Sequence, residues 1–270
     1  MTDAKLTVTT RCGARCRTCP VWAHEHHTME FSDFVTIWDK LMAAPEVHRV
    51  ILNSTGDMNQ LRDKMDYYRY IENHHTKPVI ITTNGLGLDY VPKIEELVIS
   101  FNGGDKESYE YTTGLPFDEI VATIRAAYPQ LEQLPRVEMH CLVWEKTEGI
   151  ERQFKELWHD FPGRLRISYK VENQFGTTIK PIEPFRDPRR IYCEYLNWLV
   201  IAPTGKVISC AHDFAFQTNL GDLLTESVAE VLQNPGRIAL QSAHRRGVYP
   251  GLCEKCNFNV TNDGKIFYLK

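Results

Sequence analysis

Two periodicities alternate along the chain. Short runs rich in Val and Ile, at residues 5–10, 47–53, 79–84, 96–102, 136–143 and 165–171, have the length and composition of strands. Longer stretches with helix-like spacing of apolar positions lie between them, at 31–44, 60–73, 117–131 and 150–161. Strands that alternate with helices predict a parallel sheet covered by helices. Six such strands predict an α/β fold, a partial (β/α)6 barrel rather than a closed eight-stranded one. After the sixth strand a segment rich in Pro and charge, residues 180–188, reads as a linker. Beyond it, Trp198 to Cys210 reads as a β-hairpin turning at Pro203-Thr204-Gly205, followed by a short helix at 227–233. Two domains are expected, the barrel over 1–180 and a hairpin-plus-helix extension over 189–260.

Bulk properties narrow the class without naming it. The chain has 270 residues, 43% of them hydrophobic and 24% charged, with a formal net charge of −4. That charge gives no footing for a nucleic-acid surface. No apolar run approaches the ~18 residues of a membrane span, and the first residues lack the apolar stretch of a signal peptide. A cytoplasmic, enzyme-sized protein is expected.

The cysteines depart from this ordinary picture. Of eight, seven fall into two groups: Cys12, Cys16 and Cys19 near the start, and Cys193, Cys210, Cys253 and Cys256 after the linker. Cys141 stands alone. In a chain with no export signal, clustered cysteines point to metal before disulfide. The first group, in the stretch RCGARCRTCP, has the spacing C-x3-C-x2-C and directly follows the first strand. In parallel α/β folds the carboxyl ends of strands are where chemistry gathers. Four thiolates close a zinc site or a [4Fe–4S] cluster. Three leave one iron of a four-iron cluster free to hold another ligand.

On these residues the chain resembles the radical S-adenosylmethionine (SAM) superfamily. The second strand ends Thr55-Gly56-Asp57, similar to the family's Gly-Gly-Glu segment that meets the SAM amino group, with a shorter acid. The third ends Thr82-Thr83-Asn84-Gly85, and the fourth Ser100-Phe101-Asn102-Gly103, similar to the family's ribose-contacting strand. Thr18 stands where the family usually carries an aromatic residue. The resemblance implies SAM and a SAM-binding [4Fe–4S] cluster as cofactors, with Cys12, Cys16 and Cys19 as ligands. It further implies that Thr55, Gly56, Asp57, Ser100 and Asn102 contact SAM. Glu138 and His140, which share one face of the fifth strand, are expected to face the same lumen.

The second group, C-x11-G-x4-C with a later C-x2-C, resembles the auxiliary-cluster extension called SPASM or twitch. The short, one-cluster twitch layout fits best, because no cysteine follows Cys256. The resemblance implies a second [4Fe–4S] cluster on Cys193, Cys210, Cys253 and Cys256. On thiolate count alone, structural zinc stays open at this site.

The implied activity is a 5′-deoxyadenosyl radical taking a hydrogen atom from substrate, for oxidation of a small molecule with the auxiliary cluster as electron acceptor. Lys170 and Arg166, at the end of the sixth strand, are candidates to take a proton. An epimerase would need a thiol hydrogen donor, and Cys141 is the one cysteine left for it. Strand alternation turns Cys141 away from Glu138 and His140, towards the outer helices, which favours oxidation. A peptide-modifying maturase is a further alternative, set back by the little chain preceding Cys12 for a leader-binding domain. A non-catalytic protein with two zinc sites is the reading from another class, and colour separates the two. The expected partners are a small-molecule substrate or a peptide and a flavodoxin- or ferredoxin-type electron donor, with no nucleic acid and no membrane.

Overall fold

A computed structural model describes residues 1–53, 55–144, 147–169, 192–254 and 267–269, the side chains of 169 and 267–269 excepted. The strands are β1 (Thr2–Leu6), β2 (Val47–Leu52), β3 (Val79–Thr83), β4 (Glu96–Ser100), β5 (Arg136–Val143), β6 (Arg164–Tyr169), β7 (Leu199–Ile201), β8 (Val207–Ile208) and β9 (Phe267–Leu269). The helices are α1 (Phe31–Ala43), α2 (Lys64–His74), α3 (Lys106–Thr113), α4 (Phe117–Ala126), α5 (Tyr128–Leu131), α6 (Glu151–Leu157), α7 (Val228–Leu232) and α8 (Pro235–Arg245).

Strands β1 to β6 lie side by side in chain order, each parallel to the next. This is the predicted partial barrel. Their outward faces carry the core. Ala4, Leu6, Val50, Leu52, Ile81, Leu97, Ile99, Met139, Cys141 and Ile167 are buried there with helix residues such as Phe34, Trp38 and Phe154. Helix α1 shows why it sits on the sheet: Phe34, Ile37, Trp38, Leu41 and Met42 form one buried stripe at i, i+3, i+4, i+7 and i+8.

Both barrel edges are covered. Strand β7 pairs parallel with β1, β8 returns antiparallel to β7, and β9 pairs antiparallel with β6. The hairpin of the extension is therefore continuous with the barrel sheet, in the order β8-β7-β1-β2-β3-β4-β5-β6-β9. Covering the edges removes rows of unpaired backbone groups.

Several elements differ from expectation. The first strand lies upstream of 5–10, because Thr2–Leu6 is the stretch that registers with Val47–Leu52. The stretch 117–131 divides into α4 and α5, the break falling beside Pro129, which has no N–H to continue the ladder. Helix α3 was not expected, yet it has a capping box between Asp105 and Ser108 and a left-handed Gly114 at its end. Helix α8 was also missed, although Asn234 caps it and Pro235 opens it.

Candidate radical and cofactor site

The loop after β1 turns back across the carboxyl ends of the strands. Its backbone is pinned by Arg15 and Arg17, whose N–H groups donate to Thr113 and Thr112 carbonyls at 2.9 and 2.8 Å. Cys12, Cys16 and Cys19 line a cavity of about 330 Å³ in the barrel mouth. The strand ends supply the rest of its wall: Lys5, Asn53, Thr55, Gly56 and Asp57; Thr82, Thr83 and Asn84; Ser100 and Asn102; His140 and Leu142. Tyr195, Ala211, His212 and Phe214, from the extension, close the far side.

Gly56 shows how closely the parts approach. It has φ +77°, and a Cβ there would fall 2.0 Å from the Thr9 carbonyl oxygen. Only glycine permits both the left-handed turn and this contact with the cysteine loop. Asp57 then ties the turn to the next strand. One carboxylate oxygen accepts from the Asn59 N–H at 3.0 Å; the other accepts from the Thr83 hydroxyl at 2.9 Å and the Asn84 N–H at 2.8 Å. Burial raises its pKa to about 6, against these hydrogen bonds and the positive Lys64, which pull it down. Asn84 in turn donates through Nδ2 to Cys12 Sγ at 3.3 Å.

The thiols suit a cluster. Burial, the Asp57 carboxylate and Cys19 raise the Cys12 pKa to about 11; burial and its two neighbours raise Cys16 further still. Thiolates at these positions need a cationic partner to form. Cys12, Cys16 and Cys19 feel one another's charge, as sulfurs gathered in one place do. The cavity also suits a polar ligand. Asn53 is buried with both amide atoms unpartnered and adopts φ +58°, rare outside glycine. An unpartnered amide beside a cavity is available to a ligand.

The structure thus gathers Thr55, Gly56, Asp57, Ser100, Asn102 and His140 with the three cysteines in one cavity. Asn102 Oδ1 accepts from the Leu142 N–H at 2.9 Å, which fixes the ends of β4 and β5 together. Glu138 and Arg166 go elsewhere. They lie off the cavity wall, joined in an ion pair, with Arg164 adding a second bond to Glu138 at 3.2 Å. Arginine offers no acceptor atom, so Arg166, held to a buried carboxylate, serves as a structural cation rather than a proton acceptor. Lys170 and Cys256 lie outside the described residues. Cys141 is fully buried in the outer core, where burial pushes its thiol up to about 12, and it does not touch the cavity.

His140 meets Ser168 Oγ through Nε2 at 2.6 Å. Burial and the nearby Arg166 charge lower its pKa to about 3. The folded state therefore holds His140 neutral while the unfolded chain protonates it below ~6.5. Its contribution to stability is full above that value and is lost as pH falls towards 3. Between pH 7.5 and 5, the SAM-free protein is expected to lose about 2 kcal/mol more than a His140→Asn variant. Urea unfolding at the two pH values reads that difference.

Sequence reasoning missed Asn53 and Lys5 as cavity residues. Asn53 was legible only as part of a strand end, and nothing local marks its φ. Lys5 lies on β1 with its ammonium over the rings of Trp198 and Tyr195, at 4.2 and 4.8 Å from their centroids. Burial lowers its pKa to about 8, opposed by Cys210 and Asp3 and aided by Arg49.

In the extension, Cys193 opens the turn Glu194–Asn197 before β7, Cys210 follows β8, and Cys253 ends the turn Gly251–Cys253. Helix α8, which leads towards Cys253, is bolted to the segment after Cys193: Arg237 Nη1 donates to the Trp198 carbonyl at 3.0 Å and Gln241 Nε2 to the Leu196 carbonyl at 2.8 Å. The His212 N–H donates to Cys210 Sγ at 3.3 Å.

Residues 193–257 match the family model SPASM, an iron–sulfur cluster-binding domain. The match covers the extension, and the cysteine-lined barrel before it shares the fold of solved structures at low sequence identity. Among solved structures it resembles BtrN, in complex with AdoMet and 2-DOIA, at 16% identity and a TM-score of 0.59, covering 100% of this chain and 98% of that one. It is also similar to Streptococcus suis SuiB bound to precursor peptide SuiA, at 11% identity and a TM-score of 0.73, covering 97% of this chain and 71% of that one. A third likeness is to anSMEcpe with bound AdoMet, at 12% identity and a TM-score of 0.63, covering 90% and 81%. No curated protein matches the sequence. The family match gives the extension as an iron–sulfur cluster-binding domain, and AdoMet is a ligand of the BtrN and anSMEcpe structures. No helix among the described residues is long and apolar enough to cross a membrane.

Proposed function

We propose that this protein is a radical SAM oxidoreductase that removes hydrogen from a small-molecule substrate. The observation that carries the reading is one cavity walled by three cysteines, by polar strand ends and by the cluster-binding extension. Bound there, SAM and the first cluster would supply the radical chemistry that takes a hydrogen atom from substrate. Thr55, Asp57, Ser100 and Asn102 would hold SAM, and the unpartnered Asn53 amide adds a further donor and acceptor. The substrate radical must then lose a proton and an electron. Cys193, Cys210, Cys253 and Cys256 would hold the electron sink. Lys170 is the proton acceptor that the sequence suggests. With Cys141 enclosed in the outer core, the described cavity wall offers no spare thiol to return a hydrogen atom, which favours oxidation over epimerisation. A flavodoxin- or ferredoxin-type donor suits the loop carrying the first cysteines, where Arg11, Arg15 and Arg17 are all exposed. A peptide substrate is the second reading, favoured by the likeness to a structure bound to precursor peptide SuiA.

The test uses anaerobically reconstituted protein, reduced with dithionite and given SAM. The expected product is 5′-deoxyadenosine, with about eight irons per chain for two [4Fe–4S] clusters. Cys193→Ala and Cys210→Ala are expected to keep SAM cleavage and lose substrate oxidation. A colourless protein holding zinc and no iron overturns the reading.

A further inference from the structure

The cavity has one positive corner that the hydrogen abstraction leaves unused. The Lys5 side chain enters it from β1, below the hairpin, and lines the same wall as Tyr195 and Ala211. Its ammonium sits over the Trp198 and Tyr195 rings. Aromatic faces attract the cation but leave its directional N–H donors available to a ligand in the cavity. The carboxylate nearest along the strand, Asp3, is already taken: Arg49 donates to its Oδ2 through Nε at 2.9 Å and Nη2 at 2.7 Å. Among the described residues no oxygen accepts a hydrogen bond from Lys5 and no carboxylate pairs with it. The ammonium is only partly covered and opens on the cavity, with the Cys210 side favouring its charge, so an anionic group entering the cavity would gain a charge-assisted contact there. Behind it, Val200, Ala202 and Ile208 pack with Trp198 and Ala211 into a small apolar cluster, so the charge is set in an apolar wall.

We propose that the substrate carries an anionic group, a carboxylate or a phosphate, and that this group docks on the Lys5 ammonium against the Trp198 and Tyr195 rings. The proposal rests on the reading of the cavity as the radical site and adds the class of substrate. It excludes substrates whose recognition elements are all cationic, since an amine placed there faces a like charge in a low-dielectric wall.

The test uses the SAM-loaded holoenzyme and four probes: sodium acetate, inorganic phosphate, methylammonium, and sodium chloride at matched ionic strength. Calorimetry and the thermal midpoint read binding. Acetate or phosphate is expected to bind saturably above the chloride background, and whichever does so separates a carboxylate from a phosphate substrate. Lys5→Met is expected to weaken that binding about tenfold or more, the loss of one charge-assisted contact. Lys5→Glu is expected to lose both anions and take up methylammonium. If neither anion binds the wild type, or Lys5→Met binds as the wild type does, the proposal is overturned. A change in the auxiliary-cluster potential of Lys5→Met, with no anion binding in the wild type, also overturns it and makes Lys5 a counter-charge to the Cys210 site. Dithionite-driven 5′-deoxyadenosine formation, measured on the same samples, reports separately on the radical reading.

Discussion

Replacing Cys12, Cys16 and Cys19 together by alanine is expected to bring 5′-deoxyadenosine formation to the level of a protein-free control while leaving about four irons per chain, half of the wild-type content. The two halves of this result answer different questions. Loss of SAM cleavage assigns the cavity cysteines to the SAM-binding cluster. Retention of iron shows that the extension holds a cluster of its own. The structure explains why the halves separate. The first group lies on a loop pinned to α3, whereas in the extension α8 clamps the turn after Cys193. If iron falls to zero in the triple variant, the two sites are interdependent. If about four irons already account for the wild type and one zinc accompanies them, the extension is a structural zinc site. Iron and sulfide analysis, with product chromatography, decides among these outcomes.

Asp57→Ala is expected to be the most damaging single substitution in the cavity wall, destabilising the protein by about 3–5 kcal/mol and abolishing SAM cleavage. The carboxylate satisfies three protein donors, Asn59 N–H, Thr83 O–H and Asn84 N–H. Each buried donor left unpaired costs about 1–3 kcal/mol, against a total stability of about 5–15 kcal/mol for a typical domain. The damage also spreads to the cluster loop, because Asn84 carries the hydrogen bond to Cys12 Sγ. Asp57→Asn keeps the shape but turns one acceptor into a donor facing Thr83 and Asn84, so about half of the loss is expected. Urea midpoints of the two variants, read beside SAM cleavage, separate a placement role from direct charge pairing with a ligand. Asn that restores stability without activity assigns the negative charge to catalysis. Recovery of both together assigns Asp57 to holding the strand ends.

The alternation of strand and helix patterns was sufficient for the six parallel strands, because each side of a parallel sheet must be covered and the periodicity records it. C-x3-C-x2-C and the later cysteines are local features, so their spacing was readable as such. The placement of Cys141 in the outer core also followed from strand alternation, which is a two-residue rule. Boundaries were less legible. Register moved β1 upstream, and Pro129 marks the break that divides α4 from α5.

What only the tertiary structure decided is which polar residues meet. Glu138 and His140 share a strand face, yet one is drawn into an ion pair with Arg166 and the other reaches the cavity. Their separation depends on depth in the barrel, which alternation does not encode. Lys5 lies in an unremarkable strand and becomes a cavity cation only because residues nearly two hundred positions later, Tyr195 and Trp198, fold over it when β7 pairs with β1. Local sequence determined the strands, the turns and the thiol spacing, because those rest on backbone geometry and short-range pattern. Burial, charge partnership and the shape of the cavity were settled by contacts between segments distant in the chain, and no local pattern carries them.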